Sequence, residues 1–228
     1  MAGFLRVALM VGLATLAGCL SNPVGETLRE PDEARIEDRR SALDSDRPSD
    51  ATVELLESLG IFDWDRNPYD LIDRLGKAGE FSAGAVSPWR LKLAEAEIAY
   101  WIAARHKRLD DVSQNHYLIA ARAALEGMEI RGRLGAFNPR ERLLLDLHNG
   151  GLTRYLEVTQ ERWGHPRDWE ERARAEGLPR PIVISGTGTH QLDQFDSFVA
   201  ADRLRIDGVR RRQRQFGLGA AIIAVFEN

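Results

Sequence analysis

The feature that most constrains this chain is its first stretch, Met1 to Cys19. Arg6 precedes an apolar run from Val7 to Leu16, and small residues follow before the cysteine. This order is typical of a secretory signal peptide, which has a short basic region, a short apolar region and small residues before the cleavage site. The apolar run is well short of the roughly 20 residues needed to cross a bilayer. Because Cys19 is the only cysteine of the chain, no intrachain disulfide is possible, and the fold must depend on packing alone.

The residues Leu16-Ala17-Gly18-Cys19 resemble the lipobox of bacterial lipoproteins. In that family the cysteine sulfur receives a diacylglyceryl group, the signal is cut just before the cysteine, and the freed amine is acylated, for example with palmitate. The resemblance implies that residues 1–18 are a signal peptide and that Cys19 is the lipidation site. Several acyl chains make such an anchor stable. The alternative is an ordinary signal peptide with a chance cysteine.

Leu20 bears on the compartment. In the resembled family an aspartate at this position commonly keeps the protein at the inner membrane. Its absence here implies an exported protein anchored to the outer membrane and facing the periplasm.

Composition sets the limits of the mature chain. Removal of the signal leaves 228 − 18 = 210 residues, enough for one or two domains with a sizeable core. The formal charge becomes 30 − 35 = −5, because the signal holds one of the 31 basic residues and none of the 35 acidic ones. A mildly acidic chain at a membrane gives no reason to expect a nucleic-acid partner. The expected partner is the membrane, with a protein as a further candidate.

The mature chain divides into three stretches. Residues 19–48 are rich in charge, Pro, Ser and Asp, and are predicted to be a disordered tether, because they cannot bury enough apolar surface to offset the entropy of ordering. Residues 49–165 carry helical signals, and residues 166–228 are a mixed segment with strand candidates. The predicted fold is mainly α, with helical hairpins of about four to six helices, and α+β overall.

Apolar spacing and terminal residues predict the helices. Ala-rich faces on two consecutive helices predict an antiparallel hairpin. Glycines at 60, 76 and 127 are expected to end three of the helices, and Lys77 to Val86 is expected to be a loop. The pair Gly150-Gly151 is expected either to kink the last long helix or to divide it, since each costs about 1 kcal/mol in a helix interior. The expected starts are Ser49-Asp50, Asn67-Pro68, Ser87-Pro88, Asp111 and Asn138-Pro139.

The last part of the chain differs from the helical part in its sequence pattern. Asp168 to Gly177 is predicted to be a short charged helix turn, and Pro181 to Ser185 and Phe198 to Ile206 are strand candidates. Gly217 to Phe226 is a third, and an apolar run of this kind is normally buried on both faces of an α/β sheet. The β portion is therefore expected to be an incomplete sheet that something normally follows.

No catalytic constellation is recognised. Ser185 to His190 is a tempting Ser/Gly/Thr segment, but Val183 stands where a nucleophile elbow needs Gly, and no lysine follows as a phosphate loop requires. No metal or cofactor is expected, because the five histidines form no metal-binding spacing. His106 and His116 flank a turn and could meet, but a helix-end histidine is the preferred interpretation. Arg210 to Arg214 is a basic run that suits a solvated loop better than a contact with lipid head groups.

A second, looser resemblance covers about Trp89 to the end. At Tyr117 to Leu125, Asp202 to Leu204, Gly208 to Arg210 and Gly217 to Ala220 the chain is similar to the amino-terminal part of large bacterial lipoproteins, which carry a helical region and then an α/β-hydrolase domain with a serine nucleophile. The resemblance implies that residues 166–228 begin such a domain. It also implies that this stretch, without nucleophile elbow, acidic partner or catalytic histidine, is inert by itself.

Three hypotheses follow. The first is a non-catalytic, lipid-anchored helical region of a serine-hydrolase-like lipoprotein. The second is a self-contained binding or scaffold lipoprotein that docks a protein partner at the membrane surface, with Tyr100 and Trp101 in its groove. The third, a small hydrolase using Ser185 and His190, ranks far below both.

Overall fold

The structure, a computed structural model, is mostly helical and ends in a small antiparallel sheet, which confirms the predicted α+β class. All the described residues belong to the unit that begins at Arg40. They contain six α-helices, two single turns of 3-10 helix and two strands. The described ranges are 41–81, 84–106, 110–131, 139–175, 194–201, 218–220 and 222–226.

The first two helices are short. Helix α1 runs from Asp50 to Ser58, and Gly60 follows it with φ +78°, a left-handed conformation that suits glycine. A 3-10 turn at Pro68–Asp70 leads into α2, Leu71–Phe81. The prediction that Gly76 ends this helix is wrong, because the helix continues to Phe81 and its last turn lies close to Leu91, whose Cδ1 would be 2.9 Å from a Cβ on Gly79. Residues 77–81 are therefore helix and not loop.

Three long helices form the centre of the unit: α3 at Pro88–Arg105, α4 at Asp111–Arg131 and α5 at Pro139–Trp163. Helices α3 and α4 are antiparallel, as predicted. Lys92 near the start of α3 pairs with Glu126 near the end of α4 at 2.8 Å, while the rings of Tyr100 and Tyr117 meet midway at 5.3 Å. Helix α4 extends beyond the predicted end at Gly127, because this glycine is buried where α3 and α5 approach.

Helix α5 is continuous through Gly150 and Gly151, so the predicted kink or division is wrong. The glycines serve packing instead. A Cβ on Gly151 would lie 2.9 Å from the carbonyl oxygen of Tyr117 and 3.0 Å from the backbone nitrogen of Ala121. Side chains larger than hydrogen therefore cannot occupy this crossing of α4 and α5 without moving one backbone away from the other.

The carboxyl-terminal elements pack on the end of α5. A 3-10 turn at Pro166–Asp168 precedes α6, Trp169–Ala175, which confirms the predicted short charged helix. Strands β1 (Ser197–Ala200) and β2 (Ile222–Val225) pair antiparallel, with Ser197 opposite Val225 and Ala200 opposite Ile222. The backbone N–H of Phe198 donates to Oε1 of Gln160 at 2.5 Å, and that of Gly219 donates to Oδ1 of Asn149 at 2.8 Å.

Two strand predictions are confirmed in kind but not in extent. Strand β1 begins one residue before the predicted Phe198, and β2 covers the later half of the apolar run from Gly217 to Phe226. That run is not buried on both faces over its described part, since 38% of Val225 and 48% of Phe226 are exposed. The strand candidate at 181–185 lies outside the described residues.

Candidate functional site

A carboxylate in the helical core forms the most concentrated polar site of the described chain. Glu97, on α3, is completely buried. Its Oε1 accepts from the backbone N–H groups of Ala42 (3.3 Å) and Ser49 (2.9 Å). Its Oε2 accepts from the hydroxyls of Ser49 and Thr52, both at 2.6 Å. We call these four residues the Glu97 clamp, and they join the segment before α1 to the middle of α3.

The clamp corrects the predicted extent of the tether. Composition predicts a disordered tether up to Pro48, yet the structure packs residues 41–48 against α3. Besides the contacts to Glu97, the indole N–H of Trp101 donates to the carbonyl of Asp46 at 2.6 Å. Ser49 was a predicted helix cap, but its hydroxyl donates to Glu97 and makes no capping bond. The segment is ordered because a buried carboxylate needs hydrogen-bond donors, and this polar stretch supplies them.

The electrostatics of Glu97 are set by two opposing effects. Burial removes the carboxylate from water and raises the pKa of Glu97, while the hydrogen bonds from Ser49, Thr52 and Ala42 act to lower it. No cation pairs with Glu97 among the residues that the structure describes. Two hydroxyl contacts at 2.6 Å fit charge-assisted hydrogen bonds to an ionised carboxylate.

His106 lies at the end of α3, as a helix-end histidine, and both it and His116 lie beside a tyrosine. The ring of Tyr69 lies edge-on to both imidazoles, with centroids 6.2 Å from His106 and 6.4 Å from His116. The Tyr69 hydroxyl is 2.9 Å from Nδ1 of His106, and Nε2 of His106 is 2.9 Å from Oδ2 of Asp110. The structure therefore aligns a phenol, an imidazole and a carboxylate in one hydrogen-bonded chain.

Asp110, the last member of this hydrogen-bonded series, is fixed by further hydrogen bonds at the start of α4. Its Oδ1 caps α4 by accepting from the backbone N–H groups of Val112 (3.1 Å) and Ser113 (3.2 Å). Its own backbone N–H donates to the Ser113 hydroxyl at 3.1 Å. The hydrogen bond from His106, first, and the bonds at the helix start hold the pKa of Asp110 below its ordinary value.

Two further histidines have structural contacts. Nδ1 of His148 donates to the carbonyl of Ala121 at 2.8 Å and thereby ties α5 to α4. Nδ1 of His165 accepts from the backbone N–H of Arg167 at 3.2 Å at the turn before α6. Within the described ranges, no group of three or more His, Cys, Asp or Glu side chains is placed to hold a metal ion.

Other predicted candidates are buried or lie outside the described ranges. Tyr100 and Trp101, expected in the groove of a scaffold protein, are core residues and line no exposed groove. The remaining candidates all fall on residues outside the described ranges: Cys19, Ser185, His190 and the basic run at 210–214. Among the residues that the structure describes, no helix has the length and apolar character to span a membrane.

Comparison with protein-family models, with curated proteins and with solved structures finds no match for this chain. The lipobox and the hydrolase-lipoprotein resemblance both stay predictions.

The sequence reasoning missed both polar arrangements, although each leaves a local signal. Glu97 is a charged residue inside the broad apolar face of α3, a position at which a carboxylate requires buried donors. His106 and Asp110 are four residues apart at the junction of two helices. No local pattern could have indicated Tyr69, which lies in a turn 37 residues before His106.

Proposed function

We propose that this chain is a lipid-anchored envelope protein whose helical unit is a non-catalytic module carried at the membrane surface. Cys19 carries the acyl groups, residues 20–40 connect it to the folded unit, and the Glu97 clamp receives the chain where it enters that unit. The observation that carries the proposal is the clamp itself. It joins the stretch immediately after the connecting residues to the core through four hydrogen bonds.

The clamp suits an anchored protein for a mechanical reason. In a chain held at the membrane by its amino terminus, a pull on the anchor acts on the residues through which the chain enters the folded unit. If that entry point were loosely packed, α1 would fray first, because chain termini are the least protected parts of most domains. The entry point is held in place by one buried carboxylate, which accepts hydrogen bonds from Ala42, Ser49 and Thr52. The bond from Trp101 to Asp46 adds a second attachment.

The anchor is tested with the full-length protein expressed in a bacterium that processes lipoproteins. We expect the wild type to enter the detergent phase on phase separation, and its amino-terminal peptide to start at an acylated Cys19 by mass spectrometry. A Cys19→Ala variant is expected to lose both properties, because no thiol remains to receive the diacylglyceryl group.

A matched control is Glu97→Gln, which alters the clamp without altering the lipidation site and should still enter the detergent phase. A wild-type protein that stays in the aqueous phase with an unmodified Cys19 would contradict the proposal.

A finer part of the proposal is that the module leads into a larger α/β-hydrolase domain. Strands β1 and β2 support it, because they are apolar and partly exposed at Val199 and Val225, as is Phe226 directly after β2. Predominantly parallel sheets often carry an antiparallel strand at an edge, so the pairing of β1 and β2 is compatible with such a sheet. The expected larger domain would supply the serine nucleophile.

The mass of the native protein in its own membrane fraction tests this finer part. An antibody against the helical unit should detect a species much larger than 25.6 kDa. A species near that mass, corrected for signal removal and acyl chains, would refute the hydrolase part. The alternative of a self-contained scaffold lipoprotein would then lead, with a binding surface other than Tyr100 and Trp101.

A further inference from the structure

Tyr69 differs from the other described tyrosines in both exposure and contacts. More than half of Tyr69 is exposed (55%), whereas Tyr100, Tyr117 and Tyr155 are each only 8% exposed. Burial, first, and the neighbouring Tyr100 raise the pKa of Tyr117 to about 12, so that this phenol resists ionisation. Tyr69 instead places its hydroxyl against an imidazole at the surface.

The contacts of His106 determine which nitrogen carries the proton in the neutral ring. Asp110 can only accept while it is ionised, so Nε2 of His106 must carry the hydrogen of their 2.9 Å bond. Nδ1 of the neutral ring is then an acceptor, and the Tyr69 hydroxyl donates to it at 2.9 Å. A nucleophile bonded to a base, with the base oriented by a third group, is the arrangement that activates side-chain nucleophiles in enzymes.

We propose that Tyr69 is an activated nucleophile that accepts an acyl group from an activated carboxylic ester. The phenol oxygen forms a bond to the carbonyl carbon of the ester as its proton passes to Nδ1 of His106. The imidazolium so formed is stabilised by the Asp110 carboxylate. The bond between the carbonyl carbon and the leaving oxygen then breaks, His106 returns the proton to that oxygen, and Tyr69 retains the acyl group as an ester, so that the module is modified once and does not turn over.

The protein is tested with p-nitrophenyl acetate as the acyl donor, and the rate of acetylation is followed at each residue by peptide mass spectrometry. We expect acetyl-Tyr69 in the wild type. Tyr69→Phe removes the acceptor oxygen, and His106→Gln removes the base. General-base assistance is worth about a hundredfold or more in enzymes, so a loss of at least about tenfold at Tyr69 is expected in His106→Gln.

Asp110→Asn is the sharper variant, because asparagine caps helices as well as aspartate does. Its side-chain N–H would donate to Nε2 of His106, the proton would move to Nδ1, and Nδ1 could no longer accept from Tyr69. We expect the same loss of at least about tenfold, with the circular dichroism spectrum unchanged.

A control residue outside the site isolates the effect. Acetylation of the exposed Lys77 should be equal in every variant. The proposal is overturned by a wild type without acetyl-Tyr69, or by an Asp110→Asn variant in which Tyr69 reacts at the wild-type rate.

Discussion

At the scale of single residues, Glu97 shows how one buried charge organises the chain around it. A carboxylate inside a helical core is unfavourable unless donors surround it. The four donors of the clamp come from a stretch of low apolar content that would otherwise have little reason to pack. The same residue also makes stability depend on pH, since burial raises its pKa in the folded state.

The pH dependence can be predicted with its sign. The pKa of Glu97 is about its ordinary 4.5 in the unfolded chain and higher in the folded one, so above pH 4.5 the folded state holds more protons than the unfolded state. The free energy of unfolding of the wild type, minus that of Glu97→Gln, should be highest below pH 4.5. It should fall as pH rises towards the folded pKa, by at most about 1.4 kcal/mol per pH unit.

Urea unfolding of both proteins between pH 4 and 8 measures this difference. Because all other titrating groups are common to the two proteins, their contributions cancel. A difference that stays constant over the whole range would mean that Glu97 titrates alike in both states, contrary to the prediction.

At the scale of elements, the crossing of α4 and α5 depends on the absence of one side chain. Gly151 costs α5 some helical propensity, yet it allows the backbone of α4 at Tyr117 and Ala121 to come within van der Waals distance. A polar contact close by strengthens the same interface, where the side chain of Gln114 donates to the hydroxyl of Thr159 at 2.7 Å. The helix is continuous because tertiary packing outweighs the local preference of two glycines.

Substitution of Gly151 tests that conclusion. Gly151→Ala should lower the free energy of unfolding by about 1–3 kcal/mol, because the new methyl group would press on backbone atoms that cannot rotate away. Gly76→Ala is the matched control, since its Cβ would meet nothing within 4 Å in the interior of α2. It should raise stability by about 0.5–1 kcal/mol. Equal effects at both sites in chemical denaturation would show that α4 and α5 do not approach as described.

At the scale of the whole molecule, the described residues form one helical unit with an entry segment and a small sheet packed on its long helices. The entry segment, residues 41–49, bonds to α3 and also lies against α5, where a Cβ on Gly150 would be 3.1 Å from Leu43. Strand β1 and the stretch before β2 bond to α5. The anchor proposed at Cys19 would therefore act on the unit through α3 and α5, and a domain following β2 would act through α5.

Truncation at the two ends of the entry segment measures its contribution. A chain that starts at Ser41 retains every contact of the clamp and should melt at the temperature of the longer protein. A chain that starts at Asp50 lacks Ala42 and Ser49, leaves a buried carboxylate short of donors, and should lose about 2 kcal/mol or more. Calorimetry of both truncated chains and of the longer protein measures the melting temperatures. Equal melting temperatures would mean that residues 41–49 contribute nothing to the stability of the unit.

By itself the sequence determined most of the elements. Proline after a capping residue marked the starts near Pro68, Pro88 and Pro139, and apolar spacing showed the hairpin of α3 and α4, because these signals act within a few residues of each other. The anchor at Cys19 and the hydrolase relationship rest on the sequence alone and stay predictions.

Only the tertiary structure decided what each glycine and each buried polar group does. Gly76 and Gly127 look like helix ends and Gly151 like a break, but their roles depend on what lies beside them in space. In the sequence Glu97 is one charged residue among many, and only the fold brings to it donors that lie 45 to 55 residues away along the chain. Tyr69, His106 and Asp110 likewise meet only where two connections of the fold converge, the turn before α2 and the link between α3 and α4. Contacts of this kind follow from the packing of whole helices, which no short stretch of sequence records.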